Sequence, residues 1–470
     1  MTESSSARIV AELRAWIATA PPGSQLPPSR ALSTKYGAGP RTVQKAMDQL
    51  AALGLTESRP GVGTFVRARR TAQRMDLSWQ SAALPVGAPE SRTLPAALQT
   101  AMPDAIALHS GYPDESLLPG RVVQAALSRA GRSAAAMARP PASGVADLRA
   151  WFARELAAAM PPTIAPVALH DVLVLPGSQT GLAAVFRAVI GAGRPLLVES
   201  PTYWGAIDAA TQAGVVLVPV PSGPRGPDPE AVADAFARTG ARGIYVQPTY
   251  ANPTGAQWTS TLAREVLDIA RDHRAFIIED DWAHDFGIDT SPAPLAALDD
   301  AGQVIYLRSL TKSVAPSVRV AALIARGPAR DRIFGALVAD SLYVSGVLQE
   351  AAFDVVNHPS WRSHQRHVRE QLRVRRDTLV ASVHDHAPRL HIAHVPAGGL
   401  HLWARLPDGT DVARLVRDCA ASGVLVADGA DWFPAEPDGA YLRLNYSGPD
   451  PGRFDEAARV VAAQLAAQAV

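Results

Sequence analysis

A single lysine, Lys312, stands among hydroxyl side chains just after an apolar, strand-like stretch, 304–307. Ser309 and Thr311 flank it, and Arg319 follows seven residues later. Hydroxyl and guanidinium groups can hold a phosphate, and a lysine amine can form a Schiff base with an aldehyde. This set suits the cofactor pyridoxal phosphate. Alone, a Ser-x-x-Lys sequence is more often an ordinary solvated loop, so the prediction depends on the rest of the chain.

Short apolar segments between helical patterns are the elements that must position this lysine. They lie at 172–175, 195–199, 215–218, 243–246, 276–279 and 304–307. Such segments predict an α/β fold with a mostly parallel sheet buried on both faces. In open α/β sheets the ligand lies at the carboxyl ends of the strands, so polar residues that follow these segments are candidates for one site.

Five further polar residues occupy such positions. Ser178 and Gln179 begin a helix, where free backbone N–H groups suit a phosphate. Tyr203 follows the next strand and can lie against an aromatic ring, and Asn252 stands in a Pro/Gly turn. Asp280 ends another strand, where its carboxylate could pair with a protonated ring nitrogen. Each has an ordinary explanation as a cap, a turn or a solvated acid. Their occurrence in order, together with Lys312, favours a single site.

The N-terminal region has a different pattern. Helices are predicted at 7–19, 29–36 and 40–53, followed by a two-stranded wing at 57–59 and 64–66. We expect Ile9, Leu13, Trp16 and Ile17 to share one face of the first helix, and Ala31 and Leu32 to point inward from the second. Two helices with a tight turn and then a wing are typical of a winged helix-turn-helix DNA-binding domain. Helical patterning alone fits a small structural module with a basic face equally well.

Charge favours DNA as the partner of this region. Residues 1–75 contain 11 Lys and Arg against 4 Asp and Glu, whereas the remainder contains 34 against 40. A basic head on an acidic body indicates that the head contacts a polyanion. The candidate contacts are Arg30 and Arg59 for phosphates, Arg41, Thr42, Gln44 and Lys45 for bases or phosphates, and the wing glycines Gly61 and Gly63.

Three segments of the head carry a family resemblance. Leu26-Pro27-Pro28-Ser29-Arg30-Ala31-Leu32, Arg41-Thr42-Val43 and Gly61-Val62-Gly63-Thr64-Phe65-Val66 resemble the DNA-binding domain of the GntR family in order and spacing. The resemblance implies that the head binds double-stranded DNA at a promoter operator.

The order of polar residues in the body looks like that of fold-type I aminotransferases, over about residues 108–467. The resemblance implies that Lys312 forms the Schiff base with pyridoxal phosphate and that Asp280 partners the pyridine nitrogen. It also implies that Asn252 bonds the phenolic oxygen and that Tyr203 stacks on the ring. The phosphate contacts would be Ser178, Gln179, Ser309, Thr311 and Arg319. The segment 440–445 matches the family's carboxylate-binding arginine, which makes Arg443 the clamp for an effector carboxylate.

Two departures from that family bear on activity. Related proteins place a tyrosine two or three positions beyond the ring-binding aspartate, where this chain has Trp282 and Ala283. The stretch before Gly144 lacks the tyrosine that often reaches the partner subunit's phosphate. Both departures argue against efficient transamination but leave cofactor binding intact.

The combination of head and body resembles the MocR subfamily of bacterial transcription regulators. It implies a regulator in which an amine or amino-acid effector, or pyridoxal phosphate itself, reacts at Lys312 and alters promoter binding. It also implies a homodimer, domain-swapped, on repeated half-sites. The alternative is a pyridoxal phosphate-dependent aminotransferase acting on an amino acid. Whether the protein is an enzyme stays open, with a regulator carrying a vestigial site favoured.

Domain limits and compartment complete the prediction. We expect a winged helix-turn-helix at 1–67, a linker at 68–107 and an aminotransferase-like domain at 108–470, with a small subdomain from about 390. No apolar stretch predicts a membrane span, and the N-terminus lacks the pattern of a signal peptide. The histidine pairs and Cys419 form no recognisable metal motif, so no metal site is expected. We expect a cytoplasmic bacterial protein, nucleoid-associated when bound to DNA.

Overall fold

The structure, a computed structural model, describes residues 5–67, 76–83, 98–102, 104–448 and 450–468. The chain forms two compact units, Met1–Glu90 and Ser91–Val470. Most of the predicted linker, 68–107, lies outside the described residues. Within the described part, no helix is long and apolar enough to cross a membrane.

The first unit packs three helices against a hairpin. Its elements are α1 (Ser5–Thr19), α2 (Ser29–Tyr36), α3 (Pro40–Ala52), β1 (Thr56–Arg59), β2 (Gly63–Val66) and α4 (Ser78–Ala83). Ile9, Leu32, Val43 and Leu50 form the centre of its core. Gly37, with a φ of 57°, ends α2 in the left-handed conformation that glycine favours. Helix α3 then begins at a proline, whose missing N–H costs nothing in the first turn.

The hairpin is the predicted wing, with Thr56 opposite Val66 and Arg59 opposite Gly63. Two predictions about side-chain direction are wrong. The buried apolar residues of α1 are spaced by four along the helix, and Trp16 lies at the edge of the face that they form. For this reason Trp16 is 40% exposed. Ala31 is also exposed, and Leu32 alone provides the buried contact of α2.

The second unit is built on an eight-stranded sheet. Its strands are β4 (Val172–Leu175), β5 (Pro195–Ser200), β6 (Val216–Gly223), β7 (Gly226–Pro227), β8 (Gly243–Val246), β9 (Phe276–Asp281), β10 (Val304–Ser309) and β11 (Ala321–Ile324), after a short β3 (Ile106–Ala107). The order across the sheet is β4-β11-β10-β9-β8-β5-β6-β7. Pairs β5–β6, β5–β8, β8–β9 and β9–β10 are parallel, and β11 and β7 are antiparallel to their neighbours.

Helices cover both faces of this sheet, as the α/β prediction requires. They are α5 (Gly120–Ala130), α6 (Ala146–Ala157), α7 (Ser178–Val185), α8 (Trp204–Gln212), α9 (Pro229–Thr239), α10 (Ser260–Asp272), α11 (Gly327–Ser341) and α12 (Gly346–Val356). The long helix α13 (Trp361–His386) packs mainly in the apolar cluster of the C-terminal region. Val172 and Val174 join one apolar cluster, whereas Leu173 and Leu175 join another. Alternate residues of a strand point to opposite faces, so the sheet is buried on both.

A smaller α+β region closes the chain. It contains β12 (His401–Arg405), α14 (Val412–Ala421), β13 (Val424–Leu425), β14 (Ala427–Asp428), β15 (Tyr441–Asn445) and α15 (Phe454–Gln468). Strands β12, β15 and β14 form one sheet, and β13 pairs in parallel with β3. Residues 106–114, which begin with β3, therefore run along this region, and we call them the strap.

Candidate functional site

The carboxyl ends of the parallel strands open into a cavity of about 260 Å³ in the second unit. Every cofactor contact predicted from the sequence lines it, as does Lys312 itself. The lining residues among them are Ser178, Gln179, Tyr203, Asn252, Asp280, Ser309, Thr311, Lys312 and Arg319. The structure thus brings together residues that lie up to 141 positions apart in the chain.

Lys312 projects over the indole of Trp282, with Nζ 4.0 Å from the ring centroid. Burial and the positive charge of Arg443 lower the pKa of Lys312 to about 7, and the negative charge of Asp280 opposes them. A lysine with so low a pKa is partly neutral near pH 7, which a nucleophilic amine requires.

Asp280 is 2% exposed and is the last residue but one of β9, beside Leu307 of β10. Its Oδ2 accepts hydrogen bonds from the Tyr245 hydroxyl at 2.8 Å and from Gln247 Nε2 at 2.9 Å. Its Oδ1 is buried and has no partner among the described residues. Burial raises the pKa of Asp280, and the two hydrogen bonds work against that rise. The carboxylate of this cavity-lining residue is therefore held by one oxygen, and the other is left unbonded.

The neighbouring Asp281 is bound elsewhere. Its Oδ2 accepts from the Tyr306 hydroxyl at 2.6 Å and lies 2.7 Å from His284 Nδ1. Asp281 therefore belongs to a separate buried network beneath the strand, and only Asp280 lines the cavity.

A phosphate-sized group of donors gathers at the start of α7. Gly177 precedes this helix with a φ of 99°, and a Cβ there would overlap the Arg319 guanidinium. The backbone N–H of Thr311 donates to Ser309 Oγ at 3.1 Å, while Thr311 Oγ1 is buried without a partner in the described chain. A helix N-terminus, a guanidinium and a free hydroxyl together suit an anion. Gln179 also lies here, donating from Nε2 to the Gly205 carbonyl at 2.6 Å.

Asn252 joins the cavity to the carboxylate clamp. Its Oδ1 accepts from Trp432 Nε1 at 3.0 Å and from Arg443 Nη1 at 3.2 Å. Its backbone N–H donates to Gln247 Oε1 at 2.9 Å. Because Oδ1 is fully used, the Asn252 amide nitrogen is the group available to the cavity. Tyr203 stands at the same cavity, and burial raises the pKa of its hydroxyl, which therefore stays protonated.

Arg443 is fully buried on β15, and the negative charge of Asp431 favours its charged form. Its Nη2 donates to the carbonyl oxygens of His109 at 2.7 Å and Ser110 at 3.2 Å. Its guanidinium carbon lies 4.5 Å from the Trp432 ring centroid. Burial lowers the pKa of Arg443 to about 9. A buried guanidinium that is hydrogen-bonded only to uncharged oxygens can bind an anionic ligand.

Sequence reasoning missed several residues of this site. Gln247 and Tyr245 position Asp280, and His401 lies against Trp282 with ring centroids 5.7 Å apart. Burial, followed by the charges of Arg443 and Lys312, lowers the pKa of His401 well below its usual range, so this ring is neutral. The only signal for Gln247 is its position at the end of β8. His401 carries no local signal, because it is a single polar residue within an apolar strand and belongs to no motif.

The cavity fits pyridoxal phosphate on the chemistry of its own atoms. Asp280 Oδ1 and Thr311 Oγ1 are buried polar atoms without hydrogen-bond partners in the described chain. The first suits the ring nitrogen of that cofactor, and the second suits its phosphate. An amine of lowered pKa, that of Lys312, lines the same cavity. No group of three or more metal-binding side chains occurs among the described residues.

In the first unit the predicted DNA contacts lie on α2, α3 and the wing. Arg30, Arg41, Gln44, Lys45, Arg59 and Gly61 are exposed, and Thr42 and Gly63 are half-buried. Gln44 Nε2 donates to Asp48 Oδ1 at 2.8 Å, and Arg59 Nη2 lies 2.6 Å from Glu57 Oε1. The basic side chains are therefore each accessible, although Arg59 is already paired within the wing.

Comparison with known proteins matches two families. Residues 103–461 match aminotransferase class I and II, and residues 5–66 match the gntR family of bacterial regulatory proteins. An HTH-type transcriptional regulator of Bacillus subtilis, YdfD, is 24% identical over 91% of this chain and 89% of its own. The probable rhizopine catabolism regulatory protein MocR of Rhizobium meliloti is 28% identical over 92% of this chain and 87% of its own.

One solved structure extends the comparison to the body. The α-aminoadipate aminotransferase LysN of Thermus thermophilus, complexed with N-(5′-phosphopyridoxyl)-L-leucine, superposes with a TM-score of 0.74. It is 25% identical and covers 83% of this chain and 99% of its own.

Proposed function

The chain belongs to the aminotransferase class I and II family and carries a gntR-family DNA-binding domain, and we propose that its pyridoxal phosphate site senses an amine or amino acid and thereby alters promoter binding. This fusion is the domain arrangement of the MocR subfamily. The observation that carries the proposal is the presence, on one chain, of a DNA-binding head and a cavity with an activated lysine.

The residues at the cavity have separate tasks. When bound, pyridoxal phosphate supplies an aldehyde that can pass from one primary amine to another. Lys312 is the chain's own amine for that exchange. Asp280 would hold the ring nitrogen through the oxygen that Tyr245 and Gln247 leave free. Asn252 would donate to the phenolic oxygen, and Tyr203 would cover the ring.

Anionic groups would be held at the two ends of the cavity. Ser178, Gln179, Ser309, Thr311 and Arg319 would surround the phosphate. Arg443 would bind the carboxylate of an effector that has one. With Lys312 as the amine of the site, an effector that carries a carboxylate would be fixed by its amine and its carboxylate together.

DNA recognition is assigned to the head. We place α3 in the major groove, with Arg41, Thr42, Gln44 and Lys45 at bases or phosphates. Arg30 and Arg59 would contact phosphates, and Gly61 and Gly63 would let the wing approach the backbone. We retain the domain limits 1–67, 68–107 and 108–470, a domain-swapped homodimer, and action in the bacterial cytoplasm, at the nucleoid when DNA-bound, as parts of this proposal.

An experiment on DNA binding tests the regulator. The purified protein should bind a fragment upstream of its own coding region, with affinity falling steeply as salt rises. An effector that changes the cofactor's absorbance should change this affinity, and Lys312→Ala should remove that response while leaving salt-sensitive DNA binding intact. If no salt-sensitive binding to the upstream fragment is found, the regulator function is wrong.

The alternative is an aminotransferase. It is favoured by Lys312 and Asp280 at one cavity, with Arg443 bonded to Asn252 of its lining. Trp282 argues against it, since it stands where relatives carry a tyrosine that helps bind the cofactor. Rapid, repeated conversion of an amino acid with a keto acid would favour the enzyme, whereas a single slow turnover would favour the sensor.

A further inference from the structure

A second cavity lies in the second unit, apart from the cofactor site. Its volume of about 660 Å³ exceeds the volume of the first cavity, about 260 Å³, and is in the range of small-molecule sites. One side of it consists of residues within 221–228, around the turn between β6 and β7. The other side consists of residues of β12 and β15 and of the segments 391–394 and 433–438. Among the described residues, none lines both cavities.

The wall on the side of β12 and β15 is aromatic. Trp403 and Tyr441 are stacked, with ring centroids 4.8 Å apart and planes 9° apart. Phe433 lies 5.8 Å from Tyr441, measured between ring centroids. Trp403 and Tyr441 are half-buried, so both rings are partly accessible. Such a wall favours a flat aromatic ligand, which gains ring contacts beyond its buried area.

The basic side chains of this cavity favour an anion. They are His391, His394 and Arg405. His394 Nε2 is buried without a hydrogen-bond partner in the described chain. Arg405 donates one N–H to Asp408 at 3.2 Å, and a guanidinium carries further N–H groups that a carboxylate can accept from.

The acidic side chains that line the cavity, Asp228 and Asp438, are bonded within the protein. Asp228 Oδ1 caps α9 by accepting from the Glu230 N–H at 3.2 Å. Asp438 is hydrogen-bonded to the Tyr441 hydroxyl of the aromatic wall. The charged groups left for a ligand are therefore mainly basic. With the aromatic wall, they favour a planar aromatic carboxylate.

Three segments of the backbone connect this cavity to the cofactor site. The segments 200–203 and 252–254 each line the cofactor site with one residue and the second cavity with another. Phe433 of the second cavity follows Trp432, whose indole N–H donates to Asn252 Oδ1 at 3.0 Å. A ligand that holds these segments in one cavity therefore acts on residues of the other.

A buried carboxylate connects the two cavities as well. Ser222 of the second cavity donates from Oγ to Glu199 Oε1 at 2.9 Å. Glu199 is 3% exposed, and its Oε2 accepts from the Gln247 backbone N–H at 3.0 Å. The Gln247 side chain in turn donates to Asp280 at 2.9 Å. A continuous series of contacts thus runs from the second cavity to the predicted partner of the cofactor's ring nitrogen.

We propose that the second cavity is a regulatory site for a planar aromatic carboxylate, whose binding strengthens effector binding at the cofactor site. The ligand site goes beyond the proposed function, and its regulatory role rests on that function. The ligand's ring would lie against Trp403 and Tyr441, and its carboxylate would accept from Arg405. Because the ligand would hold the connecting segments in place, the effector would have less of the cofactor site left to order.

Sodium benzoate is the probe, with two matched comparisons. Cyclohexanecarboxylate has the same charge and nearly the same size but no aromatic ring, whereas benzamide keeps the ring without the charge. Isothermal titration calorimetry would be performed on the full-length, cofactor-loaded protein. We expect benzoate to bind about fivefold more tightly than cyclohexanecarboxylate and about tenfold more tightly than benzamide.

Arg405→Gln tests where the probe binds. The Arg405 side chain is 48% exposed, so the variant should fold, and it should bind benzoate and benzamide with nearly equal affinity. Arg417→Gln on α14 removes the same charge from an exposed position outside the cavity and should keep the wild-type preference for benzoate. The site is wrong if wild type shows no preference for benzoate, or if Arg405→Gln keeps that preference.

Glycine titrations test the regulatory role. As benzoate is added to the wild-type protein, the glycine concentration that gives half of the change in the cofactor's absorbance should fall about fivefold and then level off. In Arg405→Gln the same benzoate concentrations should leave it unchanged. A shift to higher glycine concentrations that grows without limit would mean that benzoate occupies the cofactor cavity, which would overturn the inference.

The outcomes separate this inference from the proposed function. If glycine changes the absorbance but bound benzoate does not move the glycine midpoint, the regulatory role is wrong and the sensor function stands. If glycine never changes the absorbance, the sensor function and the regulatory role both fail, while calorimetry still decides whether the ligand site exists. A saturating shift that Arg405→Gln removes and Arg417→Gln retains supports the inference.

Discussion

The lowered pKa of Lys312 predicts an unusual pH dependence of cofactor uptake by the cofactor-free protein. Only the neutral amine can attack the aldehyde, so the rate constant should follow the neutral fraction of Lys312. With a pKa of about 7, that fraction is about one tenth at pH 6, about half at pH 7 and about nine tenths at pH 8.

The expected curve therefore rises about tenfold from pH 6 to pH 8 and then levels off. The pKa of Lys312 is lowered because burial and the Arg443 charge disfavour the protonated amine. The amine therefore loses its proton at a lower pH than an ordinary lysine does. A lysine with an unperturbed pKa of about 10.4 would instead gain about tenfold per pH unit up to pH 9 and beyond.

The assay is stopped-flow absorbance after mixing cofactor-free protein with excess pyridoxal phosphate in buffers from pH 6 to pH 9.5. The same reaction with Nα-acetyllysine corrects for ionisation of the cofactor itself. Lys312→Ala should show no slow absorbance change at any pH. A corrected rate that still climbs tenfold per unit between pH 8 and pH 9.5 would refute the assignment of a buried, activated amine.

Three further predictions concern other parts of the molecule. Gly177→Ala should weaken cofactor binding at least tenfold by equilibrium dialysis, because the new Cβ meets the Arg319 guanidinium. Gly193→Ala is the control: Gly193 also has a positive φ but open space around it, so cofactor binding should not weaken. Lys45→Ala should lower the slope of log affinity for upstream DNA against log salt by about 1, whereas Arg14→Ala on α1 should leave it unchanged. Burial raises the pKa of Glu279 to about 8, so the folded state retains a proton that the unfolded state loses above about pH 4.5. Stability to urea should therefore fall from pH 5 to pH 8, and less so in Glu279→Gln.

Much of the site was predictable because its polar residues follow successive apolar, strand-like segments of the sequence. Lys312, Asp280 and Asn252 each follow an apolar segment, and parallel strands end at one edge of a sheet. That rule places distant residues together without knowledge of the strand order. The α/β class, the gntR-family head and the cofactor are confirmed by the comparisons, while the individual residue roles stay predictions.

What escaped prediction depends on partners far apart in sequence. Gln247 matters because its side chain reaches Asp280 while its oxygen accepts from Asn252, and neither contact leaves a local pattern. Strand β11 is four apolar residues in a loop-rich stretch, and its antiparallel place between β4 and β10 follows from packing. Local periodicity also cannot decide whether a residue at the edge of a helix's apolar face is buried or exposed, as Trp16 demonstrates.

The burial of Arg443 has a consequence for the lifetime of the protein in the cell. Burial disfavours the charged guanidinium, which lowers its pKa to about 9, so a bound anion would make the fold more stable. Any ligand that binds only the folded state raises its stability by mass action. Proteases degrade chains in proportion to how often they open, so the effector-free regulator should be the form that is cleared faster. The steady-state number of regulator molecules would then rise with the supply of effector, without any change in the synthesis of the protein.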